Sequence, residues 1–225
     1  MDGILLIDKP LFYTSHDVVD ALRRHTGISR IGHGGTLDPL ATGLLVLLVG
    51  RATSLFDRVS RGDKEYEGVM TLGMRTDTQD LEGRILEWRP AGSVPPRAVE
   101  EVFEGLRGVR KQKVPRFSSA RFAGKKCYEM ARKRIDFVPP EKTVEIKTLE
   151  LLAVSEEDVY FRVRASAGTY VRALCDEVGE RLGTGACLGA LRRIGSGDFH
   201  VRDSVPLGVI RSLSAADLRR RLVTP

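Results

Sequence analysis

The sequence predicts an α+β fold in which a central, mainly antiparallel mixed sheet is flanked by helices. Segments with strand patterns outnumber segments with helical patterns, and many of the strands follow one another directly along the chain. The apolar share of 42% and the charged share of 29% suit a globular protein with a core. We find no internal repeat, low-complexity tract or clear linker, so we expect one domain over residues 1–225.

The strand and helix patterns follow a definite order. "GILLIDKP" predicts a buried strand that ends at Pro10, and "SHDVVDALRRHTG" predicts a helix that Ser15 caps and Gly27 ends. The aliphatic run from Leu44 to Val49 predicts a central strand. Further strands are predicted for "KEYEGVMTLG", "RILEWRP", "KTVEIKTLELLAVS", "VYFRVRASA" and "ACLGALRRIGSGDF", and further helices for "RATSLFDRVSRG", "PPRAVEEVFEGLRG", "TYVRALCDEVGERLGTG" and "SAADLRRRL".

Positive charge is concentrated in one segment. Between Arg107 and Arg134 there are eleven Lys or Arg residues and one acid, a local net charge of +10 in a chain whose net charge is +6. The first half of the segment predicts an extended insertion and the second half, from Lys125, a short helix. A solvated helix face usually mixes both signs, so the segment favours nucleic acid as a partner, ahead of an anionic membrane surface. We place the insertion at residues 107–142.

Other features of the composition exclude several classes of protein. The three cysteines form no CxxC pair and the four histidines lack metal-ligand spacing, so neither a disulfide framework nor a metal site is predicted. The N-terminus "MDGILLIDKP" has no basic region of the kind that begins a signal peptide. No apolar run is long enough to span a membrane. We therefore expect a reduced, cytoplasmic protein that uses no metal.

The segment "GHGGTLDPLATG", residues 32–43, places one carboxylate, Asp38, between glycines and an apolar strand. Asp followed by Pro favours a helix start, at which Asp38 caps the first N–H groups and Pro39 takes the first helical position. The same N–H groups would favour the ionised carboxylate that a nucleophile needs. Gly34 and Gly35 would let a substrate approach the backbone. The peptide alone favours the capping role and leaves the catalytic role open.

Two other segments hold residues that suit a site. Tyr66 lies on a predicted strand, where a tyrosine is most often half-buried packing. "GTYVR" opens a predicted helix and places Tyr170 and Arg172 in its first turn, where a cation is unfavourable against the helix dipole. An arginine in this place often has an anionic partner, either a carboxylate or a phosphate.

Five segments together resemble the TruB-type tRNA pseudouridine synthases. They are "IDKP", "GHGGTLDPLATGLL", "KEYEGVMTLGMRTDTQDLEG", "SSARFAGKKCYEMAR" and "SAGTYVRALCDEVGERLGTGACLGALRR", and they run in the family's order from Gly3 to Ile194. The resemblance implies the pseudouridine synthase fold and a cofactor-free isomerisation of uridine 55 in the T loop of tRNA. In that reaction the N-glycosidic bond breaks, the uracil turns, and its C5 is joined to C1′ of the ribose.

The resemblance also implies roles for single residues. Asp38 corresponds to the catalytic carboxylate and Arg172 to its partner, whereas the target of Asp38, C1′ of the ribose or C6 of the base, stays open. Tyr66 corresponds to the residue that stacks on the flipped uracil. The family's other pocket residues correspond to Tyr170, Lys9, Pro10 and Leu191, and its RNA-contacting residues to His33 and Asp80.

The basic insertion corresponds to the family's RNA-clamping thumb, with Lys125, Lys126, Arg132 and Lys133 as candidate phosphate contacts. The expected partner is the T-arm stem–loop of tRNA, and we expect a monomer that needs no metal and no membrane. About thirty residues follow the "ALRR" segment, too few for the C-terminal RNA-binding domain of many bacterial members. We therefore expect a short form of the family without a separate C-terminal domain.

Two other functions stay open on the residues alone. A non-catalytic RNA-binding module or tRNA-folding chaperone would need the insertion but not the acid at Asp38. A nucleoside hydrolase or glycosidase generally needs two acids about the scissile bond, and only one acid lies in a suitable context. The presence of Asp38 together with Tyr66, Arg172 and the insertion favours the isomerase.

Overall fold

Residues 1–210 and 212–223 are described by the computed structural model, and their contacts divide them into two units. The first unit joins Met1–Tyr66 with the described residues from Leu191 onward. The second unit is Glu67–Ala190. Each unit combines strands and helices, so the α+β prediction is confirmed.

Strands and helices follow one another much as the sequence predicts. The elements are β1 (Gly3–Lys9), α1 (Ser15–Thr26), β2 (Ile31–His33), β3 (Ala41–Val49), α2 (Phe56–Arg61), β4 (Lys64–Leu72), β5 (Met74–Thr76), β6 (Ile85–Trp88), α3 (Pro96–Glu104), β7 (Gly108–Lys113), β8 (Arg121–Phe122), β9 (Lys125–Lys126), α4 (Cys127–Arg132), β10 (Glu141–Ser155), β11 (Asp158–Ala165), α5 (Val171–Arg181), β12 (Ala186–Ser196), β13 (Phe199–His200), β14 (Val205–Pro206), α6 (Leu207–Ile210) and α7 (Ala215–Arg220). Short 3-10 helices lie at Gly50–Leu55 and Val201–Asp203.

Strands β1 and β3 are paired neighbours in the sheet of the first unit. They pair antiparallel over seven residues, from Gly3 with Val49 to Lys9 with Gly43. Strand β2 also pairs antiparallel with β3. Two pairings are parallel: β14 pairs with β1, and Leu191–Arg193 of β12 pair with β3. The predicted mixed sheet is therefore confirmed. The continuous apolar sequences of β1 and β3 are explained by burial of nearly every residue along both strands.

One face of this sheet packs against α2. The core cluster there consists of Ile4, Leu6, Leu44, Val46, Leu48 and Val59. Val59 comes from α2, and the strand residues alternate, as side chains on one face of a strand do. A Cβ on Gly34 would lie 2.4 Å from Val59 Cγ1. Packing under α2 therefore favours glycine at position 34, and the approach of a substrate there stays a prediction.

A second glycine permits the contact between β3 and β12. Gly43 has φ of 94°, and a Cβ there would lie 2.4 Å from the carbonyl oxygen of Arg193. Any other side chain would push the two strands apart. The parallel register places Leu191 opposite Ala41, three residues after Asp38.

The second unit holds the longest strands. β10 and β11 pair antiparallel on either side of a turn at Glu156–Glu157, and β7 pairs antiparallel with β10. β5 and β6 pair antiparallel and form a hairpin. Helix α5 buries its apolar residues Val171, Leu174, Cys175 and Val178.

The basic insertion leaves the sheet later than expected. β7 and the start of β10 are sheet strands, joined by the pair Lys113–Glu141, so the segment outside the sheet is 114–140 rather than 107–142. It contains β8, β9 and α4, and it has a small core of Cys127, Met130 and Phe137. Its helix begins two residues after the predicted Lys125.

Helix α1 begins as predicted but has a different cap. Thr14, not Ser15, is the N-cap, and it forms a capping box with Asp17. No helix among the described residues is long and apolar enough to cross a membrane. The three cysteines are free and buried.

Candidate active site

Asp38 lies in a loop between β2 and β3 and not at a helix start. We call residues 34–40 the carboxylate loop. Pro39 and Leu40 form a turn in which the Ala41 N–H donates to the Asp38 carbonyl at 3.0 Å. The predicted helix start is therefore wrong. A strand forms after Asp38 instead of a helix because β3 gains ladder hydrogen bonds with β1, β2 and β12. Local propensity, on which the Asp-Pro signal rests, does not include these pairings.

Ser15 fixes the residue before Asp38. Its hydroxyl accepts a hydrogen bond from the Leu37 N–H at 2.8 Å and donates one to the Leu37 carbonyl at 3.2 Å. The residue is 3% exposed. Because both polar groups of one buried peptide residue are satisfied by a single hydroxyl, the backbone at Leu37 is held in one position.

Lys9 and Phe12 fix the residue after Asp38. The Lys9 ammonium is buried and donates to the carbonyls of Pro10 at 3.0 Å, Tyr13 at 2.5 Å and Pro39 at 3.4 Å. The Phe12 N–H also donates to the Pro39 carbonyl, at 2.9 Å. A buried ammonium needs acceptors, so Lys9 ties its own segment to the carboxylate loop. The structure thus brings this predicted site residue next to the loop of Asp38.

Arg193 is a site residue that the sequence analysis missed. Its guanidinium is 1% exposed and donates to the carbonyls of Leu44 at 2.7 Å, Thr36 at 3.3 Å and Gly35 at 3.2 Å. The nearby Tyr66 side chain also favours the charged form of Arg193. Burial lowers the pKa of Arg193, and the Tyr66 phenol opposes that shift. Arg193 therefore holds the carboxylate loop from a position beside Tyr66, within the first unit.

Two basic side chains beside the carboxylate loop lose part of their tendency to be charged. Burial lowers the pKa of His33, the charge of Arg193 adds to the shift, and the Gly35 backbone opposes it. Burial also lowers the pKa of Lys64, to about 8, and Arg193 again adds. The Lys64 ammonium donates to three carbonyls at the C-terminal end of α2, of which Gly62 is nearest at 2.6 Å. His33 is thus neutral at pH 7.

Tyr66 and Leu191 belong to the same unit as Asp38. Tyr66 is the third residue of β4, is 8% exposed and lies against Arg193. Leu191 is also 8% exposed, and its carbonyl accepts a hydrogen bond from the Thr42 hydroxyl at 3.4 Å. The first unit therefore contains five of the predicted site residues in addition to Asp38: Lys9, Pro10, His33, Tyr66 and Leu191.

Arg172 lies in the first turn of α5, as predicted, and has a carboxylate partner in the second unit. Its Nε is 3.6 Å from Oδ2 of Asp80, and both side chains are 6% exposed. Its other nitrogens donate to the carbonyls of Thr78 at 2.7 Å and Phe117 at 3.0 Å. The prediction of an anionic partner is confirmed with Asp80, whereas the pairing of Arg172 with Asp38 stays a prediction.

Asp80 is buried and serves to order the loop that follows β5. One of its carboxylate oxygens accepts from the Thr78 hydroxyl at 2.5 Å and from the Glu82 N–H at 3.1 Å. Its backbone forms a bridge with Leu188. In the structure Asp80 positions Arg172, and its predicted contact with an RNA base stays a prediction.

Tyr170 is the N-cap residue of α5, and Gln112 holds its backbone from both sides. The Tyr170 N–H donates to the Gln112 Oε1 at 2.8 Å, and the Gln112 amide donates back to the Tyr170 carbonyl at 3.0 Å. Gln112 is 3% exposed. The sequence analysis missed Gln112, because a single polar residue within a basic segment gives no sign that it is buried.

The four candidate phosphate contacts lie on the insertion. Lys125 and Lys126 form β9, Arg132 ends α4, and Lys133 follows it. Lys126 and Arg132 lie over the Tyr128 ring, at 5.5 and 5.4 Å from its centroid. The structure thus gathers these cations on one small folded segment. Among residues 1–210 and 212–223, no group of three or more His, Cys, Asp or Glu could hold a metal ion.

A comparison with protein families shows which family the chain belongs to. The model described as "TruB family pseudouridylate synthase (N terminal domain)" matches residues 23–171. The chain belongs to this family. A second TruB model, "tRNA pseudouridylate synthase B C-terminal domain", matches residues 172–225, which the sequence analysis did not anticipate. The predicted TruB-type resemblance is confirmed, and membership places the chain among the pseudouridine synthases, which are isomerases.

Known relatives extend along nearly the whole chain. The "tRNA pseudouridine synthase B" of Opitutus terrae is 39% identical over 223 residues, 99% of this chain and 92% of the relative. That of Syntrophus aciditrophicus is 43% identical over 207 residues, 92% of this chain and 66% of the relative. A solved structure, "Crystal Structure of a Cbf5-Nop10-Gar1 Complex", is 27% identical with a TM-score of 0.76. It covers 99% of this TruB chain, which spans 60% of that solved chain, and the expected fold is confirmed.

Proposed function

We propose that the chain converts uridine to pseudouridine at position 55 in the T loop of tRNA, with Asp38 as the catalytic carboxylate. Family membership supports the reaction, and the relatives named tRNA pseudouridine synthase B support tRNA as the substrate. The observation that carries the proposal is the carboxylate loop. Leu37 and Pro39, the residues on either side of Asp38, are each fixed by hydrogen bonds from buried side chains. A reacting carboxylate needs such a fixed position.

The proposed reaction rearranges bonds without a net change of atoms. The bond from N1 of uracil to C1′ of the ribose breaks, the base turns, and C5 bonds to C1′. The proton on C5 is lost and N1 gains a proton. The Asp38 carboxylate acts either at C1′ or at C6 of the base, and both steps need an ionised group within bonding distance.

The other predicted site residues help to expose the target base and to hold the RNA. A stacked uridine must be extruded, at a cost of a few kcal/mol, and an aromatic ring recovers about 1–3 kcal/mol per stacked base. Tyr66, which lies beside Arg193, supplies that ring. His33 is neutral at pH 7, as suits a ring that enters an RNA loop without a paired anion. The cations on the insertion hold the phosphate backbone.

The test is a single-turnover assay on a T-arm stem–loop transcript, with pseudouridine detected by carbodiimide labelling. We expect Asp38→Asn to lower the rate by more than about a thousandfold while the dissociation constant for RNA changes little. Asp57→Asn, at an exposed aspartate of α2, is the matched control and should retain the rate. Absence of product from the wild type, or full activity in Asp38→Asn, would refute the proposal.

A further inference from the structure

Phe12 has a backbone and a side chain that a purely structural role does not explain. It lies in the turn between β1 and α1, and its φ is 63°, in the left-handed region that favours glycine. Its side chain is 71% exposed. The backbone is thus strained at this position, and the exposed ring contributes little packing that would offset the strain.

The position of Phe12 is fixed relative to the carboxylate loop. Its N–H donates to the Pro39 carbonyl at 2.9 Å, so its backbone lies against the residue that follows Asp38. The Lys9 ammonium bonds to the carbonyls of both Pro39 and Tyr13, which holds the turn on the other side of Phe12. The ring is therefore carried by a backbone that is fixed against the carboxylate loop.

An RNA that presents a uridine to Asp38 brings the neighbouring nucleotides close to this turn. Removal of the target base from the stack leaves the base next to it with one exposed face. An exposed aromatic ring can cover that face, and such stacking tolerates any base. Leu11, the other residue of this turn, is 43% exposed and adds a second apolar side chain to the surface.

We propose that Phe12 stacks on a nucleobase next to the target uridine in the bound RNA. The proposal rests on the proposed function of Asp38, because that function sets where the RNA lies. It explains why a large aromatic residue occupies a conformation that glycine adopts without strain. A protein partner for the ring is the alternative, and it predicts no effect of Phe12 on the binding of RNA.

Binding measurements with three variants test the stack. Phe12→Leu keeps an apolar side chain but removes the ring, and we expect it to weaken binding of a T-arm stem–loop about tenfold, whereas Phe12→Tyr should bind as the wild type does. Phe56→Leu is the matched control, since Phe56 is 49% exposed but has a helical φ of −48°. An unchanged affinity in Phe12→Leu overturns the proposal.

The stability of a fourth variant separates function from folding. Phe12→Gly should have a urea unfolding midpoint at or above that of the wild type, because glycine relieves the strain, while its affinity for RNA falls as in Phe12→Leu. A fall in both quantities would show that Phe12 serves the fold, and it would overturn the proposal.

A fluorescent reporter observes the contact directly. The chain has one tryptophan, Trp88, so Phe12→Trp combined with Trp88→Phe leaves a single tryptophan at position 12. We expect T-arm RNA to quench its emission in proportion to binding, and saturation of the protein with RNA without quenching overturns the stack. Pseudouridine formation by the wild type is measured on the same RNA. Quenching without product refutes the proposed reaction and leaves the stack in place.

Discussion

Buried basic side chains surround the carboxylate loop. Lys9, Lys64 and Arg193 are 0%, 7% and 1% exposed, and each donates to backbone carbonyls. Transfer of a cation into the interior is costly unless acceptors are fixed around it, so Lys9 and Arg193 order the carboxylate loop and Lys64 orders the end of α2 beside it. Family resemblance indicated Lys9. Arg193 had no local sequence pattern to indicate it, since its partners lie 149 to 158 positions earlier.

His33 gives rise to a pH dependence of stability. Burial and Arg193 lower its pKa below the usual 6.5 in the folded chain, so the unfolded chain binds the proton first as the pH falls. Its contribution to the free energy of unfolding is full above pH 6.5 and is lost as the pH falls toward the lowered value. We expect the wild type to lose more stability than His33→Gln between about pH 7 and pH 5 in urea unfolding. Equal losses would contradict the prediction.

Elements were predicted well where periodicity extended over many residues. β1, β3, β4, β10, β11, α1 and α5 all lie where the apolar pattern placed them. Short signals were less reliable. Asp-Pro predicted a helix at Asp38, but the apolar run that follows forms β3, which pairs with three other strands. Ser15 was predicted to cap α1, but Thr14 does so and leaves the Ser15 hydroxyl to Leu37. These choices depend on distant residues that local sequence does not contain.

The contact between α1 and the carboxylate loop predicts the behaviour of Ser15→Ala. The substitution leaves the Leu37 N–H and carbonyl, which Ser15 satisfies, without that partner, so we expect a loss of about 2 kcal/mol or more in the free energy of unfolding. Because Asp38 is the next residue, the single-turnover rate should also fall below that of the wild type.

Ser54→Ala is the control for that measurement. The Ser54 hydroxyl makes one hydrogen bond, to the Arg51 carbonyl at 2.9 Å, and the residue is exposed. We expect it to change stability by less than about 0.5 kcal/mol. Equal stability of Ser15→Ala and the wild type would show that water replaces the hydroxyl.

Charge is distributed unevenly over the whole molecule. The stretch from Arg107 to Arg134 carries +10, so the other residues together carry −4. In the structure this stretch comprises β7, which belongs to the sheet, and most of the insertion, which has its own small core. The sequence indicated the charge correctly but not this division, because Gln112 and the strand pairing of β7 are recognised only in the folded chain.

Salt dependence tests the role of the insertion. We expect combined replacement of Lys125, Lys126, Arg132 and Lys133 by Ala to weaken binding of T-arm RNA and to flatten the slope of log K against log salt by up to about one unit per lost phosphate contact. The rate for bound RNA should stay near that of the wild type.

A control variant replaces Arg202, Arg219 and Arg221 by Ala, all of them exposed residues of the first unit. Its slope should change by less than that of the insertion variant. An equal change would indicate that the net charge of the protein, and not the insertion, sets the affinity for RNA.

The hydrogen bonds of Arg193 have a consequence for synthesis on the ribosome. The carboxylate loop is made early, but the arginine that links it to β12 follows the Thr36 carbonyl by 157 positions. At a translation rate of about 5–20 residues per second, Arg193 is made roughly 8–30 s after the loop. During this interval β3 also has no β12 to pair with in parallel. The nascent chain therefore carries an apolar strand with an open edge until Leu191–Arg193 have been made, so β3 must be protected from wrong pairing during that period.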